Sequence, residues 1–267
     1  MKLLVTAALG LVLLGGTYYY LQSHQLGFDF EPHRVRHAPT EIDLVLIPPG
    51  RFTMGTPQAE HERDGDEAQH EVRISEAFYM AETEVTVALW KKIMGEGPTT
   101  DHIEDDLPMT GVSWHRAMEF VRRLNEQGEG GWGLPTEEQW EYACRAGTTT
   151  TFSFGDTITT DQANYHGYYP YAGAPRGLNR EQPVPVRSLP PNPWGLYEMH
   201  GNVWEWCKDL YTFDPLAKKQ TSDLGASRVI RGGSFESQAE FLRSGHRDGY
   251  PPNSSGSKYG FRLTKTH

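Results

Sequence analysis

Apolar residues recur with the period of an α-helix in three segments of the chain, at residues 86–95, 113–128 and 136–147. Each segment begins with a serine or threonine, which favours the N-cap position, and ends at a glycine, which favours the position after the last turn. In the third segment Thr136 and Gln139 have the spacing of a capping box. The pattern therefore predicts three helices, each with one apolar face buried against the rest of the domain.

Shorter patterns predict strands around these helices. Residues 43–47 and 51–55 are typical of two short strands around a Pro-Pro-Gly turn, and residues 72–80 are a further strand candidate. After Thr148 the chain combines turns with short strands and contains no repeat. The 28 Gly, 18 Pro, 13 Tyr and 7 Trp indicate a loop-rich fold held together by aromatic side chains. We therefore expect an irregular α+β domain.

The N-terminal residues differ from the rest of the chain. Residues 3–21 form a nearly unbroken apolar run preceded by a lysine. The run is about as long as a membrane-spanning helix, and no Ala-x-Ala cleavage site follows it. We therefore expect residues 1–21 to be a signal peptide or an N-terminal membrane anchor, and an uncleaved anchor in the inner membrane is favoured. A linker at residues 22–40 would then lead to a periplasmic domain at residues 41–267.

The chain is acidic, with 35 Asp and Glu against 25 Lys and Arg and a formal net charge of −10. Nucleic-acid binding needs clustered cations that neutralise phosphates, so the composition argues against such a partner. Acidic clusters at residues 60–67 and 101–106 could steer a basic partner, although such runs are commonly solvated faces of loops. Two cysteines, Cys144 and Cys207, allow at most one intramolecular disulfide, and only if their Cα atoms lie within about 7 Å.

A series of short motifs makes the sequence specific. Together they resemble the sulfatase-modifying-factor family, whose archetype is the formylglycine-generating enzyme, over about residues 42–263. The resemblance implies a loop-rich variant of the C-type lectin fold. The motifs are Ile47-Pro-Pro-Gly-Arg-Phe-Thr-Met-Gly55, Glu82-Thr-Glu-Val-Thr86, Gly111-Val-Ser-Trp114, Gly133-Leu-Pro-Thr-Glu-Glu-Gln-Trp-Glu-Tyr-Ala143, Asn192-Pro-Trp-Gly-Leu-Tyr197, Gly201-Asn-Val-Trp-Glu-Trp206, Arg231-Gly-Gly-Ser234 and Gly260-Phe-Arg262.

The same resemblance shows where the family's chemistry is missing. Formylglycine-generating enzymes bind copper(I) through two cysteines that follow the Gly-Gly-Ser motif, because copper(I) requires soft thiolates. In this chain the first position falls on Ser237, and the second falls on Leu242 or Ala239. We therefore expect no copper site and no formylglycine-generating activity. Cys144 matches a disulfide cysteine of the family whose partner position is Ser244, which implies a free, buried thiol.

Two other branches of the family bear on function. One resembles the iron-dependent sulfoxide synthases of ergothioneine biosynthesis, but His33 and His37 lie in the predicted linker without a helical domain and are interpreted as bystanders. The other resembles the periplasmic pyoverdine-maturation proteins, which also lack the copper cysteines. The resemblance further implies structural calcium, held by the Asn202 side chain, the Val203 carbonyl and Glu205, whose oxygen donors suit that ion. The competing interpretation gives Asn202 a turn and Glu205 a salt bridge.

Two functional hypotheses follow. The first is an exported, non-catalytic binding protein that presents the loops of residues 235–259 to a protein partner; an immunity protein against a secreted toxin such as a phospholipase is one such role. The second is a metal-dependent oxidoreductase resembling the pyoverdine-maturation proteins. The residues expected to line the groove are Ser237, Glu240, Phe241, Arg243, His246 and Arg247.

Overall fold

The computed structural model describes residues 32–98, 104–216 and 226–267 of the chain. The predicted signal peptide or anchor at residues 1–21 lies outside the described residues. Among the residues that are described, no helix is both long and apolar enough to cross a membrane.

Eleven short strands form three antiparallel or mixed sheets within the described residues. The largest sheet has the order β1-β2-β5-β11-β6 and is antiparallel throughout, the second has the order β10-β7-β8-β9 with β10 parallel to β7, and β3 pairs only with β4. The strands are β1 Arg34–His37, β2 Ile42–Ile47, β3 Gly50–Met54, β4 His70–Ile74, β5 Phe78–Ala81, β6 Trp132–Gly133, β7 Trp204–Leu210, β8 Arg228–Arg231, β9 Asp248–Tyr250, β10 Tyr259–Gly260 and β11 Thr264–Thr266.

The three predicted helices are confirmed. Helix α1 is Val87–Met94, α2 is Trp114–Glu126 and α3 is Glu137–Arg145. Each begins after the predicted Ser or Thr N-cap, and the capping box of α3 has both of its reciprocal hydrogen bonds. The last turn of α3 ends at Ala146, one residue before the predicted glycine, in a left-handed conformation with φ of 48°.

Two strand predictions need correction. Residues 72–80 do not form one strand, because β4 pairs with β3 in the two-stranded sheet whereas β5 lies between β2 and β11 in the largest sheet. The predicted linker contains β1, which pairs with β2, so the compact unit begins at Pro32 rather than at residue 41. The sequence of β1 looks like a linker because an edge strand leaves its arginine side chains exposed.

The main apolar core lies between α1, α2 and the two larger sheets. The Trp90 ring of α1 stacks on Phe120 of α2 with 5.5 Å between ring centroids, and Phe261 meets both rings edge-on. Such aromatic pairs add about 0.5–1.5 kcal/mol beyond their buried area. The irregular α+β fold predicted from the composition is confirmed, with large aromatic side chains packed between short elements.

Buried arginine–carboxylate pairs join elements that share few backbone hydrogen bonds. Arg262 is completely buried, and it donates from Nη2 to Glu205 Oε1 at 2.6 Å and from Nε to Glu205 Oε2 at 2.7 Å. Trp140 of α3 donates its indole N–H to the same Oε2 at 2.6 Å. The Glu205 carboxylate thereby connects β7, α3 and the segment before β11.

We expect Arg262→Met to destabilise the fold by about 3–5 kcal/mol, because the Glu205 carboxylate would stay buried without its cation. Urea unfolding of the variant and the parent chain measures the loss. Arg122→Met is the matched control, since Arg122 pairs with Glu119 on the exposed face of α2 and its removal should leave the free energy of unfolding nearly unchanged. Equal losses in the two variants would contradict the assignment.

Candidate functional site

The candidate site is the segment that follows the Gly-Gly-Ser motif, where the family's copper cysteines would lie. Ser237 is 9% exposed, and its hydroxyl accepts a hydrogen bond from the Ser234 backbone N–H at 3.0 Å and lies 3.1 Å from the Ser234 hydroxyl. Its backbone carbonyl accepts from His166 N at 2.8 Å. Ser237 therefore closes a local turn, and no base is hydrogen-bonded to its hydroxyl.

The second copper position is filled by hydrocarbon. Ala239 and Leu242 are both completely buried in a small apolar cluster with Phe152 and Tyr165. Leu242 packs so closely on the glycine motif that a Cβ atom at Gly233 would lie 2.6 Å from its Cδ1. The space that a second thiolate would need is thus occupied by a leucine side chain.

Arg243 and Arg247 are structural rather than exposed to a ligand. Arg243 is 1% exposed and makes a two-pronged ion pair with Glu67, with N–O distances of 2.6 and 2.7 Å. Arg247 makes a similar pair with Glu137 of α3, at 2.7 and 2.9 Å, and donates to the Thr212 carbonyl at 2.7 Å. The structure therefore corrects the expectation that these two guanidinium groups line an open groove.

The acidic loop, defined here as residues 56–67, covers this part of the site. The sequence favours a solvated loop face, yet Asp66 and Glu67 are buried because the loop folds back onto the arginines. His246 is 4% exposed beneath the loop, with Nδ1 3.3 Å from Glu67 Oε1 and 3.3 Å from Asp64 Oδ2. His246 is therefore closed off from a groove ligand, contrary to the expectation from the sequence.

Glu240 and Phe241 are the members of the predicted set that stay half-buried at the surface. Beside them, the Ala239 backbone N–H donates to the Tyr169 carbonyl at 3.1 Å. Tyr169 is 50% exposed, and its neighbour Tyr168 is 54% exposed. The surface at this point is thus aromatic, and the loop that carries these tyrosines was not among the sequence predictions.

Cys144 is a free, buried thiol, as predicted, and Cys207 is also free and buried. The Cys144 sulfur lies 3.7 Å from His200 Nε2, but the pair is not a catalytic dyad. Burial raises the pKa of Cys144 to about 12 and lowers the pKa of His200 to about 4, so both groups stay neutral. A reactive thiol needs a lowered pKa and access to solvent, and Cys144 has neither.

The side chains predicted to bind calcium already have protein partners. Glu205 is paired with Arg262, and Asn202 Oδ1 accepts from Asn164 Nδ2 at 3.1 Å and from Val184 N at 2.9 Å. The sequence left a salt bridge as the alternative role of Glu205, and the structure contains that salt bridge. Val203 is buried between these two residues in the sequence.

Two further carboxylates, Glu84 and Glu198, lie near Asn202, and neither is predicted from the sequence. Glu84 Oε1 accepts from Asn202 Nδ2 at 3.0 Å, whereas Glu84 Oε2 is buried without a hydrogen-bond partner. Burial raises the pKa of Glu84, and the negative charge of Glu198 raises it further; burial also raises the pKa of Glu198 to about 7. Glu84, Glu198 and Glu205 all interact electrostatically with the buried Arg262 guanidinium. With all three deprotonated, their negative charge would exceed that of this one cation, and their hard oxygen donors suit a divalent cation such as calcium.

Comparison with known proteins shows which family this chain is similar to. The family model described as the sulfatase-modifying factor enzyme 1-like domain matches residues 30–267. A formylglycine-generating enzyme of Streptomyces coelicolor is 30% identical and covers 86% of this chain and 79% of its own length. A protein of Chlamydia caviae named serine/threonine-protein kinase pkn1 is 28% identical over 88% of this chain, and this chain spans only 40% of its length.

The solved structure described as PvdO from Pseudomonas aeruginosa is similar over nearly the whole described chain. It is 26% identical with a TM-score of 0.75, and the match covers 89% of this chain and 100% of that one. These similarities confirm the predicted fold, a formylglycine-generating-enzyme-like scaffold of the C-type lectin kind.

Proposed function

This chain belongs to the family of sulfatase-modifying factor enzyme 1-like domains, and we propose that it is an exported, non-catalytic binding protein built on that scaffold. The observation that carries the proposal is the loss of both thiolate positions. Ser237 is engaged in a local turn, and both candidates for the second position, Leu242 and Ala239, are buried hydrocarbon side chains. Copper(I) chemistry needs soft sulfur ligands, which neither residue supplies.

The surface beside the lost copper site supports binding. We define the aromatic patch as Tyr168, Tyr169 and Leu178, which are 54%, 50% and 61% exposed. A hydrogen bond from Gly177 N to the Gly167 carbonyl at 2.8 Å closes the loop that carries Tyr168 and Tyr169, and Leu178 directly follows this closure. Exposed tyrosines give large contact areas at low entropic cost and are enriched in protein interfaces. A protein partner suits this surface, and a secreted toxin that an exported immunity protein neutralises is one such partner.

The alternative function is that of a metal-dependent oxidoreductase in the periplasm. Its support is the similarity to PvdO, which extends over 89% of this chain. The groups expected for that chemistry, Ser237, Glu240, His246 and Arg247, are not gathered around a common opening, since His246 and Arg247 are buried under the acidic loop. The geometry therefore favours the binding role.

Calcium is proposed as a structural ion near the Gly-Asn-Val-Trp-Glu-Trp motif. Glu84 and Glu198 would supply carboxylate oxygens and Val203 its carbonyl, while Glu205 would keep its pair with Arg262. The ion would supply the positive charge that the buried carboxylates lack, and thereby hold the loops around the motif together.

For the binding role, we expect a photo-crosslinking amino acid at Tyr168 to capture one specific protein when the full-length chain is present in its native envelope. Mass spectrometry of the crosslinked band identifies the captured protein. The matched control carries the same crosslinker at Phe213, an aromatic residue that is 69% exposed on a different loop. The same set of captured proteins from both positions, or none from Tyr168, would contradict a binding role for the aromatic patch.

For the missing formylglycine-generating activity, we expect no conversion of a cysteinyl peptide to an aldehyde when copper and oxygen are supplied. Mass spectrometry of the peptide measures the product, with an authentic formylglycine-generating enzyme assayed in parallel. In a copper(I) titration, Ser237→Cys/Leu242→Cys should bind the ion more tightly than the parent chain, because it restores two thiolates. Aldehyde formed by the parent chain would refute the proposal.

For calcium, we expect the ion to raise the thermal midpoint of the chain at pH 7.5. In a calcium chelator, stability should fall as the pH rises from 4.5 to about 7, because the folded-state pKa of Glu198 lies above its ordinary value of 4.5 and the unfolded chain loses its proton first. Glu84→Gln should lose the calcium effect, whereas Glu236→Gln, at an exposed carboxylate, should keep it. Differential scanning calorimetry measures the midpoints, and a calcium effect retained in Glu84→Gln would contradict the assigned ligands.

A further inference from the structure

Beneath the acidic loop, one histidine faces two carboxylates. His246 Nδ1 lies 3.3 Å from Asp64 Oδ2 and 3.3 Å from Glu67 Oε1. These three atoms form the one group of three or more histidine, cysteine or carboxylate donors, within the described ranges, whose atoms are all within 4.8 Å of one another. The arrangement is separate from the calcium position and plays no part in the proposed binding role.

The distances are long for an ion pair. A charge-assisted N–H to carboxylate bond is about 2.7–2.9 Å long, and a histidine that bonded two carboxylates would normally draw at least one of them to that range. Nitrogen and oxygen ligands bind a divalent transition metal at about 2.0–2.2 Å, which places neighbouring donor atoms about 3.0–3.4 Å apart. Both distances at Nδ1 match the edge of such a coordination shell.

The other ring nitrogen fixes the protonation of His246. Nε2 is buried and has no hydrogen-bond partner among the described residues. The imidazole ring lies 5.2 Å from the ring of Phe241 and 5.8 Å from that of Trp204, measured between centroids. Aromatic faces are electron-rich, so an N–H is tolerated there and a lone pair is disfavoured. With the proton on Nε2, the Nδ1 lone pair would face the two carboxylates, and this arrangement requires a cation between them.

The charges around the cluster also favour a bound cation. Glu60, Asp64 and Glu67 surround Arg243, which lies 3.3 Å from Glu60 and 3.8 Å from Asp64 and is the guanidinium bonded to Glu67. Counting direct ion pairs alone, three carboxylates face one guanidinium, which leaves an excess of two negative charges beside the buried histidine; Arg145 also acts on Glu60, and Asp64 is partly exposed to solvent. A divalent ion would neutralise this excess.

We propose that His246 Nδ1, Asp64 Oδ2 and Glu67 Oε1 form a binding site for a first-row divalent transition metal ion, of which Zn²⁺ is the natural probe. A neutral imidazole nitrogen with two carboxylates is a donor set that favours such ions over Ca²⁺ or Mg²⁺, which take oxygen ligands. Arg243 would orient the Glu67 carboxylate from behind, as hydrogen-bonding groups do around metal ligands. The Asp64 side chain is 55% exposed, so the remaining coordination positions face solvent.

The competing explanation is that a proton alone fills the position. Burial opposes a charged imidazole, yet the hydrogen bonds that His246 donates to Asp64 and Glu67 raise its pKa above the ordinary value. A protonated His246 would also balance only one of the two excess charges. The two explanations differ in whether the chain takes up a metal ion at neutral pH.

The test is a calorimetric titration of Zn²⁺ into the full-length chain after the metal has been removed with a chelator. We expect a site that Asp64→Asn weakens by at least about tenfold, because the variant removes a charged ligand from an exposed position without disturbing the buried pairs. Glu62→Gln is the matched control in the same loop, since its carboxylate lies 3.5 Å from the exposed His61 and offers a second place for zinc. It should leave the affinity of the proposed site unchanged.

A second measurement needs no variant. In ¹⁵N-labelled protein, Zn²⁺ should shift the Nδ1 resonance of His246 and leave its Nε2 protonated, which heteronuclear NMR of the imidazole rings detects. If Asp64→Asn binds Zn²⁺ as tightly as the parent chain, or if the Nδ1 resonance of His246 does not respond to the metal, the cluster is a proton-bridged ion group and the metal site is refuted.

Discussion

Buried pairing between guanidinium groups and carboxylates is the constraint on which the rest of this structure depends. Within the described residues the longest strand has seven residues and several have two or three, so each backbone ladder that joins distant parts of the chain is short. Arg262 with Glu205, Arg231 with Glu141 and Arg243 with Glu67 each connect segments far apart in sequence, and all three arginines are at most 1% exposed. Once such a charge is buried, its partner must be present, because an unpaired buried charge costs several kcal/mol.

This constraint explains how the family's scaffold can form in this chain without the two copper-binding cysteines. The motifs that carry the resemblance contain the paired groups themselves, such as Arg262, Glu205 and Glu141, together with the Trp140 indole that bonds to Glu205. These residues specify the scaffold. The segment from Ser237 to Leu242 contributes no such pair through its side chains to the core and fills apolar space instead, so the fold persists after its thiolates are gone.

Local signals were predictable from the sequence, and long-range partners were not. The helix caps at Thr86, Ser113 and Thr136 depend on residues within four positions of one another, and the structure has all three. By contrast, the hydrogen bond between Asn202 and Glu84 joins residues 118 positions apart, and no spacing in the sequence announces it. Strand β1 escaped prediction for a related reason, since only its partner in the sheet distinguishes an exposed edge strand from a linker.

The proposed calcium position and the proposed site at His246 have a similar charge balance. The position of the family's copper cysteines differs from both. Around Asn202, three buried carboxylates share Arg262; beneath the acidic loop, three carboxylates share Arg243. With all of its carboxyl groups deprotonated, each cluster would carry more negative charge than its arginine can neutralise, and in each a buried nitrogen or oxygen atom has no hydrogen-bond partner. The copper position has neither excess charge nor free donors, because Ser237 and Leu242 are fully engaged with their neighbours. On these proposals the chain lacks a site for a soft ion and keeps surroundings that favour hard or borderline ones, and this difference is carried by a small number of side chains rather than by the fold.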